Sequence, residues 1–219
     1  MNQTEIEVSY STINTYTTKN KLTKSTENIW MAFHGLGYLS RYFIENFNDL
    51  DKTKNYIIAP QAPSKYYQGQ GYKYVGASWL TKENTLLETQ NVLNYTKAVA
   101  ENENLSKHSE QLIVFGFSQG VSIALRWIAA YQISCKAIVI HSGGIPKELT
   151  ADRFSFLSKT TPVYLIYGTQ DEYLTKERIK TEKELAHTLF GSRLKILTFE
   201  GKHQVNKELI NKISSLNIE

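Results

Sequence analysis

One cysteine, four prolines and no long apolar run set the first limits on this chain. A lone thiol, Cys135, closes no disulfide within the chain and builds no cysteine-based metal cluster. It lies in an apolar run, where a small buried thiol is its expected state. No stretch approaches the roughly 18 consecutive apolar residues that a membrane-spanning helix needs. The opening residues, Met1-Asn2-Gln3-Thr4-Glu5, lack the basic and apolar regions of a signal peptide. Together these absences lead us to expect a soluble, cytoplasmic protein. Charge of one sign is missing too: 25 Lys and Arg stand against 21 Asp and Glu, a net charge of +4. Lys19, Lys21 and Lys24 are the densest basic group, set among Thr and Asn in an expected loop. They read as solvated surface, so no nucleic-acid partner is expected.

What is present suffices for one packed domain over residues 1–219, with 41% hydrophobic and 12% aromatic residues and no internal repeat. Short apolar runs predict strands at Glu5–Tyr10, Asn14–Thr18, Ile29–Phe33, Tyr56–Ala59, Gln111–Phe117, Cys135–His141, Pro162–Tyr167 and Leu194–Phe199. Runs such as Ile113-Val114-Phe115 and Ala137-Ile138-Val139-Ile140 are apolar without alternation, as strands buried on both faces of a parallel sheet are. Helical patterns lie between them. Ser40–Asn48 has Ser40 as a candidate N-cap, and Lys82–Ala100 carries a stripe through Leu86, Leu93 and Ala100. Val121–Ala130 is apolar nearly all round. Thr175–Phe190 and Val205–Leu216 follow, the last with Val205, Leu209, Ile213 and Leu216 on one face. Strands alternating with helices imply a parallel α/β sheet, with an antiparallel start where no helix separates the first two strands. Pro63–Leu80 reads as a long loop rich in Gly and aromatics.

The chemistry centres on Gly116-Phe117-Ser118-Gln119-Gly120. A serine hydroxyl is a weak nucleophile until a base takes its proton and a fixed geometry presents it. A sharp turn from a buried strand into an apolar helix supplies that geometry, with glycines relieving contact on either side. The helix N-terminus adds unpaired N–H groups where negative charge would develop. A base and its orienting acid should follow in the order Ser, acid, His. Of the five histidines, His34 and His108 precede the serine, His187 falls inside a helical pattern, and His141 ends a strand one step early. His203, in the short loop Glu200-Gly201-Lys202-His203-Gln204 after the last strand, is the expected base. Asp171, in Gly168-Thr169-Gln170-Asp171-Glu172, is the expected acid, with Glu172 as a local competitor and Asp152 as a distant one. Two backbone N–H groups should hold the oxyanion: Gln119, after the serine, and Leu36, in His34-Gly35-Leu36-Gly37. His34 is expected to brace that loop. No acidic or histidine cluster is spaced for metal binding, so no metal is expected.

Several ordered segments carry a family resemblance: His34-Gly35-Leu36-Gly37, Ala59-Pro60-Gln61-Ala62-Pro63, Ser78-Trp79-Leu80, Gly116-Phe117-Ser118-Gln119-Gly120, Ser142-Gly143-Gly144-Ile145-Pro146, Gly168-Thr169-Gln170-Asp171 and Gly201-Lys202-His203. With them the chain, from about Ile29 to Leu216, resembles the phospholipase/carboxylesterase family of α/β-hydrolases, which includes the acyl-protein thioesterases. Two departures stand out. Tyr38 follows the His-Gly-Leu-Gly segment where the family often has an acidic residue, and Val121 follows Gly120 where a second glycine is usual.

The resemblance implies an eight-stranded, mostly parallel sheet flanked by helices, without a large cap domain. It also implies hydrolysis of carboxylic esters or thioesters of small to medium acyl groups, through an acyl-enzyme and with no cofactor. Lysophospholipase or peptidase activity is the alternative among enzymes, and a non-catalytic ligand-binding homologue the alternative from another class. An open site would be bordered by Tyr38 and the Tyr66–Leu80 loop. Trp79 either lines the substrate pocket or braces that loop, and Tyr66, Tyr67, Tyr72 and Tyr74 are either pocket rim or plain surface. The expected partner is a small-molecule ester or thioester, with a homodimer left open.

Overall fold

A computed structural model describes residues 3–215. Its centre is a seven-stranded sheet of β1 (Tyr16–Lys19), β2 (Asn28–Phe33), β3 (Asn55–Pro60), β6 (Leu112–Phe117), β7 (Ala137–His141), β8 (Val163–Gly168) and β9 (Leu194–Phe199). The spatial order is β1-β3-β2-β6-β7-β8-β9. Only the β1–β3 pair is antiparallel, with Tyr16 opposite Pro60; the other pairs are parallel. β4 (Ser64–Gln68) and β5 (Tyr74–Ser78) form a separate hairpin.

The apolar runs lack alternation because both faces of the sheet are covered. On β2, Ile29, Met31 and Phe33 enter one core cluster, while Trp30 and Ala32 enter the other. β6 divides likewise, with Leu112 and Val114 on the first face and Ile113, Phe115 and Phe117 on the second. The first face packs against α2 (Thr85–Asn102), α3 (Gln119–Tyr131) and α4 (Lys176–Phe190), which contribute Val92, Trp127 and Leu189 among others. The second face packs against α1 (Ser40–Phe43), the 3-10 turn Ile44–Phe47 that continues it, and α5 (Lys207–Ser214). Burying such side chains between layers is the main favourable term in holding the sheet and helices together.

The expected α/β architecture with a mostly parallel sheet is borne out, but its strand number is seven rather than eight among the described residues. Glu5–Tyr10 forms no strand, and Ile6, Val8 and Tyr10 stay exposed. The reason lies just downstream. Asn14 Nδ2 donates to Gln61 O, and the Thr15 carbonyl accepts from Gln61 N–H and Tyr95 O–H. These bonds tie the chain to the end of β3 and to α2. The preceding residues therefore run past α2, where Asn84 Nδ2 reaches Glu5 Oε1, and not along the free edge of β1.

Other boundaries also shift. Pro63–Leu80, read as a loop, contains the β4–β5 hairpin. Leu86, placed on the buried stripe of α2, is 90% exposed, and Val92, Leu93, Thr96 and Val99 form that stripe instead. Leu39, not Ser40, is the N-cap of α1, and the Ser40 hydroxyl pairs with that of Thr17. In α5 the buried residues are Ile210 and Ile213, while Leu216 lies outside the described residues.

Candidate active site

Each chemistry-bearing residue follows the C-terminal end of a parallel strand, the edge where such sheets gather their sites. Ser118 comes directly after β6 and His203 comes after β9. Asp171 comes after β8, and the Leu36 loop comes after β2.

Ser118 occupies the turn from β6 to α3 with φ 52° and ψ −120°. A positive φ on a residue bearing a Cβ is strained by about 1–3 kcal/mol and persists only where the surroundings impose it. They do so here: Ser118 N–H donates to His141 O at 2.9 Å, and Val121 N–H donates to Ser118 O at 3.1 Å. The turn is also too tight for side chains beside the serine. A Cβ at Gly116 would lie 2.5 Å from Val121 Cα, and one at Gly120 would overlap the Phe33 carbonyl.

His203 links the serine to the acid. Its Nε2 lies 2.9 Å from Ser118 Oγ and its Nδ1 lies 2.8 Å from Asp171 Oδ2. A carboxylate can only accept, so Nδ1 carries the imidazole proton and Nε2 offers its lone pair to the serine hydroxyl. Asp171 Oδ1 is held separately by the N–H groups of Tyr173, at 2.9 Å, and Leu174, at 3.3 Å. The Asp171 side chain is fully buried, and that of His203 is 16% exposed. The imidazole ring sits between Phe117, with centroids 5.1 Å apart, and Tyr173, at 4.8 Å. The competing acids stand apart: Glu172 and Asp152 are exposed, and Asp152 lies in the 3-10 turn Ala151–Phe154.

The Leu36 loop packs directly on the serine. A Cβ at Gly35 would be 3.1 Å from Ser118 Cβ and 3.0 Å from Phe117 Cδ1. Leu36 itself is 55% exposed. His34 is fully buried beneath it, with Nδ1 donating to Gly35 O at 2.8 Å and Nε2 accepting from Ala62 N–H at 3.1 Å. Burial lowers its pKa to about 4, so the ring stays neutral and keeps both bonds. The hairpin clamps the same loop from outside: Gly37 N–H donates to Ala77 O, and Gln68 Nε2 donates to Gly37 O, each at 2.9 Å.

Trp79 has no exposed surface. Its indole N–H donates to His34 O at 2.7 Å, and its ring lies 4.9 Å from the His34 ring. These contacts tie Trp79 to the Leu36 loop from beneath, the geometry of the bracing role. Tyr38 packs edge-on against Phe43 and Phe117 and stays partly exposed. Tyr66, Tyr67, Tyr72 and Tyr74 are exposed on the hairpin. Gln119 is more than a backbone donor: its Oε1 accepts from Trp79 N–H at 2.9 Å and its Nε2 donates to Leu80 O at 2.7 Å.

Neither the Gln119 side chain nor the Tyr173 ring figures in the sequence reading. Their adjacency to Ser118 and Asp171 is the one signal that could have drawn attention to them. His187 is exposed on α4, and His108 pairs with Gln111 ahead of β6, at the end of that strand away from Ser118. Cys135 is buried, which pushes its thiol up to about 12. A cavity of about 760 Å³ lies between residues 7–14 and α2, and none of the residues around Ser118 lines it. Among the described residues no helix is long and apolar enough to cross a membrane.

Comparison with known proteins bears on the family and the fold. A segment of 105 residues is 32% identical to acyl-protein thioesterase 1 of Candida albicans, covering 45% of each chain. That match therefore spans less than half of the relative's length. Among solved structures, esterase PE8 superposes with a TM-score of 0.68 at 19% identity, over 93% of this chain and 97% of that one. Acyl-protein thioesterase 2 of Zea mays gives 0.68 at 17% identity, over 94% and 98%. At such identities the two structures establish a common α/β-hydrolase fold. The sequence itself goes further, because residues 18–217 match the family model described as Phospholipase/Carboxylesterase. The chain therefore belongs to the phospholipase/carboxylesterase family.

Proposed function

We propose that this chain hydrolyses carboxylic esters or thioesters of small to medium acyl groups, with Ser118 as nucleophile, His203 as base and Asp171 as its orienting acid. The observation that carries this reading is the continuous hydrogen-bonded line from Ser118 Oγ to His203 to Asp171, at 2.9 and 2.8 Å. The family supports the reaction class, and the partial match to a thioesterase supports an acyl substrate.

In this mechanism His203 Nε2 takes the hydroxyl proton as Ser118 Oγ attacks the carbonyl carbon. The tetrahedral oxyanion is received by the N–H groups of Leu36 and Gln119. Asp171 holds the imidazole in the required tautomer and offsets its positive charge, while remaining ionised itself. His203 then gives its proton to the departing alcohol or thiol, leaving an ester on Ser118. Water, deprotonated by the same imidazole, attacks that ester, releases the acid and restores the serine. No cofactor is required. The partly exposed Tyr38 stands beside this site as the candidate substrate contact.

A fluorophosphonate probe and a chain-length series of nitrophenyl esters and acyl thioesters test the proposal. The wild-type chain should label at Ser118 and turn over the shorter members, and Ser118→Ala should abolish both. Undiminished turnover by Ser118→Ala would refute the mechanism.

A further inference from the structure

His141 lies outside the Ser118–His203–Asp171 line, yet it holds both ends of the pair that transfers the proton. Its backbone carbonyl accepts Ser118 N–H at 2.9 Å, fixing the strained turn that carries the hydroxyl. Its side chain, fully buried at the end of β7, faces the other partner: Nε2 lies 3.0 Å from the backbone N of Asn206. Asn206 is three residues beyond His203 and is the N-cap of α5, so this bond pins the His203 loop where it becomes helix. The His141 ring also meets Phe117 edge-on at 5.3 Å, and Phe117 in turn backs the His203 ring. Phe199, the last residue of β9 before that loop, lies 5.8 Å away.

The hydrogen bonds dictate a single state of this imidazole. Because a backbone N–H points at Nε2, that nitrogen must present its lone pair, and the proton resides on Nδ1. From there it is donated to Ser142 Oγ at 3.1 Å. Burial, with the neighbouring His203 as a second cause, lowers the His141 pKa to about 3, so the ring stays neutral and remains an acceptor.

We propose that His141 is a positioning residue, whose neutral Nε2 accepts Asn206 N–H and so holds His203 Nε2 at the distance and angle needed to take the Ser118 proton. This inference rests on the proposed hydrolysis. It adds a residue that touches no reacting atom and whose own sequence neighbours give no hint of the role.

The test compares His141→Leu, which fills the space without an acceptor, with His141→Gln, whose Oε1 can still accept from Asn206. In His141→Leu, kcat for a nitrophenyl ester should fall about tenfold or more, as expected for the loss of one orienting hydrogen bond. KM should stay within about twofold, because substrate binding is untouched. His141→Gln should recover most of kcat. The downfield NMR signal of the His203 Nδ1 proton should broaden in His141→Leu and persist in His141→Gln. Should His141→Leu not fold, His141→Met takes its place as a flexible side chain with no oxygen or nitrogen acceptor. His141→Met should then lie about tenfold below His141→Gln in kcat.

Wild-type kcat and an unchanged His203 signal in His141→Leu, or equal rates for His141→Met and His141→Gln, would reduce His141 to a core filler. That failure is separable from failure of the hydrolase reading, in which the wild-type chain itself would not react with the fluorophosphonate.

Discussion

Asp171 meets His203 at 2.8 Å with a carboxylate that no solvent reaches. Its second oxygen is occupied by two backbone N–H groups, so the acid cannot rotate away. Asp171→Asn should keep the fold and the backbone bonds but present an amide N–H to His203, driving the ring to the tautomer with Nε2 protonated. That tautomer cannot accept from Ser118. On the order of a ten-thousandfold loss in kcat is expected, with little change in KM, measured by ester hydrolysis alongside circular dichroism. A variant retaining activity within about tenfold of wild type would move the acid's role elsewhere, with Glu172 the first place to look.

Gly120 permits α3 to begin against β2. A methyl group there would overlap the Phe33 carbonyl and approach that of His34, and neither backbone group can step aside. Gly120→Ala should lower stability by about 1–3 kcal/mol or more in urea titrations. It should also slow fluorophosphonate labelling of Ser118, since relief of the overlap pushes the turn away from the Leu36 loop. A variant as stable and as reactive as wild type would contradict the close packing described for this turn.

Much of this site was legible in one dimension because its parts are bound to strand ends in chain order. Ser118 follows a run buried on both faces, and Asp171 and His203 follow the next strands but one and but two. The order of strands and loops is sequence information. Which partners fill an edge is not. The alternation at Glu5–Tyr10 suits a strand, but the bonds of Asn14 and Thr15 steer that segment away from β1. Leu86 fits a heptad-like stripe and still faces outward, because the buried face of α2 begins nearly two turns later, at Val92. The β4–β5 hairpin was hidden for the opposite reason: its tyrosines are exposed on both strands, so no buried–exposed alternation marks it. The Gly69-Gln70-Gly71 turn between the two tyrosine clusters was its one local signal. The bond from His141 to Asn206 joins residues 65 apart, and no spacing rule reaches it.

Trp79 separates a brace from a pocket wall by experiment. Trp79→Phe retains an aromatic ring against His34 and Phe33 but leaves the His34 carbonyl without the indole donor. A buried acceptor stripped of its partner is destabilising by about 1–3 kcal/mol, which denaturant titration would detect. The relative rates across an acyl chain-length series should not change, because the side chain has no exposed surface. A shifted chain-length optimum would place Trp79 in contact with substrate.

The two buried histidines make stability depend on pH in a defined window. Burial lowers His34 to about 4 and His141 to about 3, against an ordinary value of 6.5. Between those limits the unfolded chain binds protons at both positions while the folded chain does not. Stability is therefore complete above about 6.5 and falls as the pH drops, by about 1.4 kcal/mol per unit for each histidine. His34 ceases to contribute to the slope once it protonates in the folded state near 4, and His141 continues to about 3. Carboxylates add a background of the same sign, so the informative quantity is a difference between variants. His141→Gln removes one of the two titrations and preserves the acceptor for Asn206. Urea titrations at pH 7, 6, 5 and 4.5 should show the wild-type slope exceeding that of His141→Gln by about 1.4 kcal/mol per unit below pH 6 and converging with it above 7. Equal slopes throughout would mean that His141 is charged, or solvated, in the folded chain, and the single tautomer assigned to it would have to be abandoned.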